Sequence, residues 1–213
     1  MTPAAVVYDL NGTLLDPGVL AEPLGGPPDL AYAALDVAIA QAMVATLTDA
    51  YVPLRDLLGA ALRRRAPDGD VAAALERLAS MPPFPEVPDA LARLAAAGMR
   101  LAVVTQSATA AAQEVLRAAG LLERFEVVLG TDAVGAFKPD PRPYAAVLER
   151  LGVPPGDAVL VAAHWWDVAG AKRSGLRTAW VARRERLLLD SVPEPDVRAS
   201  DVADAAEQIL ALG

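Results

Sequence analysis

Apolar and polar positions along the chain change period several times, and each change marks an element. Five short apolar runs, at 4–8, 101–104, 126–129, 158–161 and 178–181, predict strands buried on both faces. Between and after them, apolar residues recur three and four apart, which predicts helices over 88–97, 109–119, 141–151, 167–174 and 202–211. Gly98, Gly120 and Gly175 close three of these. From 28 to 80 the period is helical throughout. Leu35, Ile39, Ala42, Met43 and Thr46 share one face, and Leu54, Leu57, Leu58, Ala61 and Leu62 share another. A third helix opens at Asp68 or Asp70 and turns Val71, Leu75 and Leu78 inward. Residues 17–28, rich in proline and glycine, predict a linker; Pro82, Pro83 and Pro85 end the helical block. The stretch 183–201, with Pro193 and Pro195, predicts an irregular excursion to which no role attaches.

Strands alternating with helices imply an α/β fold, a doubly wound parallel sheet with an all-helical insertion after its first strand. In such sheets the site lies beyond the carboxyl ends of the strands. Asp9, Thr105 and the polar residues after Val161 fall there.

Composition narrows the chemistry. A chain of 213 residues can bury a sizeable core, and the absence of cysteine excludes disulfides, thiolate metal sites and cysteine nucleophiles. With 27 acidic and 19 basic residues the net charge is −8, so no basic stripe is available to a nucleic acid. The apolar fraction of 54% is rich in alanine and forms no uninterrupted membrane-length run. No basic leader precedes the first strand, which predicts a cytoplasmic protein. Arg63, Arg64 and Arg65 read as a solvated helix end. Only Lys138 and Lys172 are lysine among the basic residues, and His164 is the single histidine. Lys172, inside a predicted helix, reads as a surface residue.

Four segments at strand ends carry the candidate chemistry: Asp9-Leu10-Asn11-Gly12-Thr13-Leu14, Thr105-Gln106-Ser107, Phe137-Lys138-Pro139-Asp140, and His164-Trp165-Trp166-Asp167. Their order resembles the haloacid dehalogenase superfamily over nearly the whole chain. Phe84-Pro85-Glu86-Val87, Pro141 after Asp140, and a tryptophan directly before Asp167 resemble its L-2-haloacid dehalogenases more than its phosphatases. The resemblance implies a Rossmann-like catalytic core, 1–16 and 82–213, with a helical cap over 17–81. It implies a hydrolase in which Asp9 displaces halide from Cα of a short 2-haloacid and water then cleaves the aspartyl ester. A carboxylate needs no activating base for this, only placement. Thr13 would hold the Asp9 loop or a substrate oxygen, its plain reading being a helix N-cap. Lys138 would serve a pocket where carboxylates crowd, and Asp167 would place Lys138 or orient water. His164 stands where dehalogenases carry asparagine and joins the candidate catalytic set. Leu10, Asn11, Thr105, Gln106 and Trp166 are the candidate substrate contacts, with Thr105, Lys138 and backbone N–H groups holding the substrate carboxylate.

Phosphate fits these residues less well. Superfamily phosphatases carry a second aspartate where this chain has Asn11, and a magnesium-binding aspartate where it has Ala163. With Asp9, Asp167 and a phosphate dianion, one lysine leaves the pocket about three units negative. No metal or other cofactor is expected; magnesium enters only under the alternative of a phosphatase with a degenerate site. A further alternative is a non-catalytic member that binds a small acid or a partner protein. The phosphonatase reading is weaker, because that chemistry wants a cap lysine and 17–81 has none. The expected partner is a small anionic substrate, with no nucleic acid and no membrane; a homodimer follows by resemblance alone. Dehalogenases also grip the halide with a cap arginine, yet 29–51 has none and Arg55 is the nearest. Amides of Asn11 or Gln106, with Trp166, are the candidate substitutes.

Overall fold

A computed structural model describes residues 3–212. Six parallel strands, β1 (Ala5–Tyr8), β2 (Arg100–Thr105), β3 (Val127–Gly130), β4 (Ala158–Ala162), β5 (Arg177–Val181) and β6 (Val197–Ala199), form one sheet in the order β3-β2-β1-β4-β5-β6. Alternate residues of each central strand enter different cores, as the two-residue period requires. Val6, Tyr8, Val103 and Val161 pack under α4 (Val87–Ala96), α5 (Thr109–Ala118) and α8 (Val202–Leu210). Val7, Val104 and Leu160 pack under α6 (Pro141–Leu151) and α7 (Trp165–Arg173). The sheet is therefore covered on both sides, as the continuous apolar runs predict.

The chain leaves the sheet after β1 and comes back before α4. These two crossings pair: Asp16 N–H donates to the Pro82 carbonyl and Phe84 N–H to the Leu14 carbonyl. Between them lie α1 (Pro28–Leu47), α2 (Leu54–Arg65) and α3 (Val71–Glu76), a helical cap packed largely on itself. α1 has the length and hydropathy of a membrane span, but Ala31, Ala34, Leu35, Ala38, Ile39 and Ala42 face the protein interior. Asp29 and Asp36 interrupt its sequence.

Two expectations need correction. Residues 17–24 are no linker: Pro17–Leu24 is a 3₁₀ helix that buries Leu20 and Leu24. Asp16 caps it by accepting from Gly18 N–H, and its prolines suit a short turn helix that spends few backbone donors. The excursion at 183–201 contains β6, which pairs with β5 in parallel at the sheet edge. Three residues with a single alternation are too short a signal for periodicity to find.

Candidate active site

Strand order reverses between β1 and β4, so a crevice opens beyond their carboxyl ends. Asp9 follows β1 directly and its N–H continues the ladder to the Val161 carbonyl. Thr105 to Ser107 follow from β2, Lys138 comes from the loop before α6, and His164 to Asp167 form the turn into α7. All four sequence segments thus converge.

The Lys138 ammonium organises them. It is completely buried, and its three protons go to Asp9 Oδ1 at 2.9 Å, Asp167 Oδ2 at 2.5 Å and the Val104 carbonyl at 2.9 Å. No donor is left over for a substrate carboxylate, which corrects the expectation that Lys138 would hold one. Thr13 Oγ1 donates to Asp9 Oδ2 at 2.7 Å and accepts from Ala163 N–H at 3.0 Å. It fastens β1's loop to β4's; no helix begins there, so the N-cap reading fails. Burial alone would raise the Asp9 pKa. Lys138, His164 and the hydrogen bonds from Lys138 and Thr13 outweigh burial and hold Asp9 below the ordinary carboxylate value. Asp167 goes the other way: burial raises it against the pull of Lys138, and the Asp9 charge adds to the rise. Burial works against the Lys138 charge, but the two carboxylates hold its pKa above the usual lysine value.

Gln106 is held by its amide. Its Nε2 donates to the Lys138 carbonyl and its Oε1 accepts the Lys138 N–H, both at 2.9 Å. One Nε2 proton and Oε1 thus clamp the lysine's backbone, while the residue also lines the small cavity over Asp9. Thr105 Oγ1 accepts from Ser107 N–H at 3.2 Å and lies in the cavity wall. Leu10 is fully buried beside Asp9. Arg55 donates one guanidinium N–H to the Leu75 carbonyl at 2.8 Å and lines, with Asn11 and Ser107, a cavity of about 210 Å³ beside the site. His164 Nε2 lies 3.0 Å from the Asn11 carbonyl and 3.6 Å from Asp9 Oδ2. A carbonyl can only accept, so Nε2 carries the hydrogen. The imidazole stacks on Trp166, ring centroids 5.1 Å apart.

Over Asp9 sits a cavity of about 10 Å³, walled by Asn11, Thr105, Gln106, His164 and Trp166 from the core and by Leu35, Ile39 and Leu54 from the cap. That is room for about one water, so a substrate enters only when these cap side chains move. His164 and Gly12 also line an outer cavity of about 690 Å³ between α1 and residues 182–185.

Several site neighbours lay outside the sequence reading. Tyr144 donates to Asp167 Oδ1 at 2.6 Å; a tyrosine on the buried face of α6 was the available signal, since its hydroxyl needs a partner. Arg183 reaches back from the excursion to the Thr13 carbonyl at 3.0 Å, pairs with Glu86 and covers the Phe84 ring. Glu185 accepts from Trp165 N–H at 3.0 Å, and burial raises its pKa. No sequence pattern marks either residue. A divalent cation does not fit this donor set. Lys138 stands between the two carboxylates, Thr13 and Tyr144 take their other oxygens, and no other cluster of three metal-binding side chains occurs among the described residues.

Comparison with known proteins agrees with the residues. Residues 3–175 match the family described as haloacid dehalogenase-like hydrolase. Haloacetate dehalogenase H-2 of Moraxella sp. (strain B) is 27% identical over 84% of this chain and 85% of its own length. The probable phosphatase IndB of Dickeya dadantii (strain 3937) is 31% identical over 97% and 95%. Two further dehalogenase relatives align over only 54% and 43% of their own lengths. The L-2-haloacid dehalogenase of Xanthobacter autotrophicus, solved with chloropropionic acid covalently bound, superposes with a TM-score of 0.90. It is 23% identical, over 99% of this chain and 100% of that one, a likeness that concerns the fold.

Proposed function

As the chain belongs to the haloacid dehalogenase-like hydrolases, we propose that it hydrolyses the carbon–halogen bond of a short 2-haloacid, without a metal, through Asp9. The observation that carries this reading is the Asp9 carboxylate, ionised and fixed by Lys138 and Thr13 beneath a small, mostly apolar cavity. A carboxylate held rigid and stripped of bulk water is a competent nucleophile toward carbon. One Asp9 oxygen attacks Cα, the halide leaves with the bonding pair, and an aspartyl ester forms. Water then adds to the Asp9 carbonyl carbon and the ester C–O bond breaks there. The products are a 2-hydroxyacid, a halide ion and a proton, and Asp9 is restored. Lys138 stays bonded to the carboxyl through both steps and balances charge on the tetrahedral oxygen.

Halide is a weak base and needs no acid to leave, so Asn11 at the position of the phosphatase acid is no handicap. A phosphatase reading has the similarity to IndB in its favour. Against it stands a pocket that already sets one ammonium against two carboxylates before a phosphate dianion enters. The test is halide release from the 2-chloropropionate enantiomers beside phosphate release from p-nitrophenyl phosphate, each with magnesium or EDTA. Halide release that EDTA leaves unchanged, and that Asp9→Asn abolishes, is the expected result. Magnesium-dependent phosphate release, or activity retained by Asp9→Asn, would overturn it.

A further inference from the structure

One buried polar atom in the cavity wall has the wrong sign for an anion. Asn11 is 8% exposed, and its Oδ1 is buried without a hydrogen-bond partner. Its Nδ2 lies 3.2 Å from Ser107 Oγ. An unpaired buried acceptor is destabilising, and a haloacid anion offers no proton to satisfy it. Ser107 can donate as well as accept, so a half-turn of the amide about χ2 keeps that bond with its polarity reversed. Ser107 Oγ–H then serves Oδ1, and the Nδ2 protons take the place of the orphaned acceptor.

We propose that Asn11, turned in this way and set by Ser107, is the donor that seats the departing halide; this rests on the dehalogenase reading above. Lys138 is spent, its three protons going to Asp9, Asp167 and the Val104 carbonyl, and Gln106 gives one amide N–H to the Lys138 carbonyl. The surroundings also favour halide over carboxylate. Asn11 lines both the small cavity over Asp9 and an apolar cavity of about 210 Å³ beside it, and Leu35 and Leu54 form the wall with it. A carboxylate brings several lone-pair sites and needs several donors, whereas a polarisable halide is content with one amide among apolar side chains. Ser107 is then a positioning residue, acting through the polarity of Asn11.

The test titrates the intact protein with sodium bromide and, separately, sodium lactate, following tryptophan fluorescence because Trp166 stands in the cavity wall. Asn11→Leu keeps the branched outline of the side chain and removes its amide donors, and a far-UV circular dichroism spectrum matching the parent's shows that it folds. Its bromide dissociation constant should rise about tenfold, the worth of one such hydrogen bond, with lactate affinity changed less than about twofold. Ser107→Ala should weaken bromide in the same direction, and Ser107→Thr should restore it. Bromide affinity unchanged in Asn11→Leu, or bromide and lactate weakened equally, overturns the seat; bromide affinity unchanged in Ser107→Ala overturns the role of Ser107. A parent protein that binds bromide but releases halide from no 2-haloacid refutes the reaction and leaves the seat standing.

Discussion

Replacing Lys138 by methionine tests the arrangement on which the proposed chemistry depends. The side chains are similar in length, so packing is nearly kept while the only cation between Asp9 and Asp167 disappears. Both carboxylates are at most 3% exposed, and breaking a buried pair by deleting one partner costs ~3–5 kcal/mol. Two pairs end at this one ammonium, so we expect a loss at the upper end, near ~5 kcal/mol at pH 7.5. For a chain of this length that is a fall in Tm of roughly 10–20 °C. The pH dependence supplies the sign. Without Lys138, burial and mutual repulsion raise both folded-state carboxyl pKa values above their unfolded values. Groups shifted that way favour folding below the unfolded pKa and lose that contribution as pH rises through the folded pKa. The deficit against the parent should therefore shrink when urea unfolding is repeated at pH 5. A deficit below about 1 kcal/mol, or one equal at both pH values, would refute the claim that Lys138 neutralises two buried charges.

Three further outcomes follow from single contacts. Gln106→Leu should cost ~1–3 kcal/mol in urea unfolding by leaving the Lys138 N–H and carbonyl without partners. A Cβ on Gly130 would sit 2.3 Å from the Ser107 carbonyl oxygen and the Thr109 nitrogen, both backbone, so Gly130→Ala should fail to yield soluble protein or lose over ~3 kcal/mol by denaturation. Because Asp9 is held below its ordinary value of 3.8, kcat/KM should stay flat between pH 7 and pH 5 as far as Asp9 is concerned; an acid limb in that range that Asp9 causes would contradict the ion pair.

The order of elements and the converging segments were legible in the sequence because they rest on local rules. Val6, Val7, Val159 and Leu160 lie in runs that only a doubly covered sheet can bury, and a strand end is where such a sheet delivers Asp9 or Thr105. The alanine-rich helices of the cap announced themselves by period alone. What each polar side chain does with its hydrogen bonds depended on neighbours far away in the chain. Lys138 is 129 residues from Asp9, and Gln106 is 32 from the lysine backbone it clamps. Sequence names donors and acceptors without pairing them, so Lys138 looked like a carboxylate clasp. Arg183, carried back from an apparently featureless tail to the Thr13 carbonyl, had no pattern to betray it. Periodicity records which residues must leave water; only the folded chain decides which buried proton meets which buried oxygen, because that pairing is made across the sheet rather than along it.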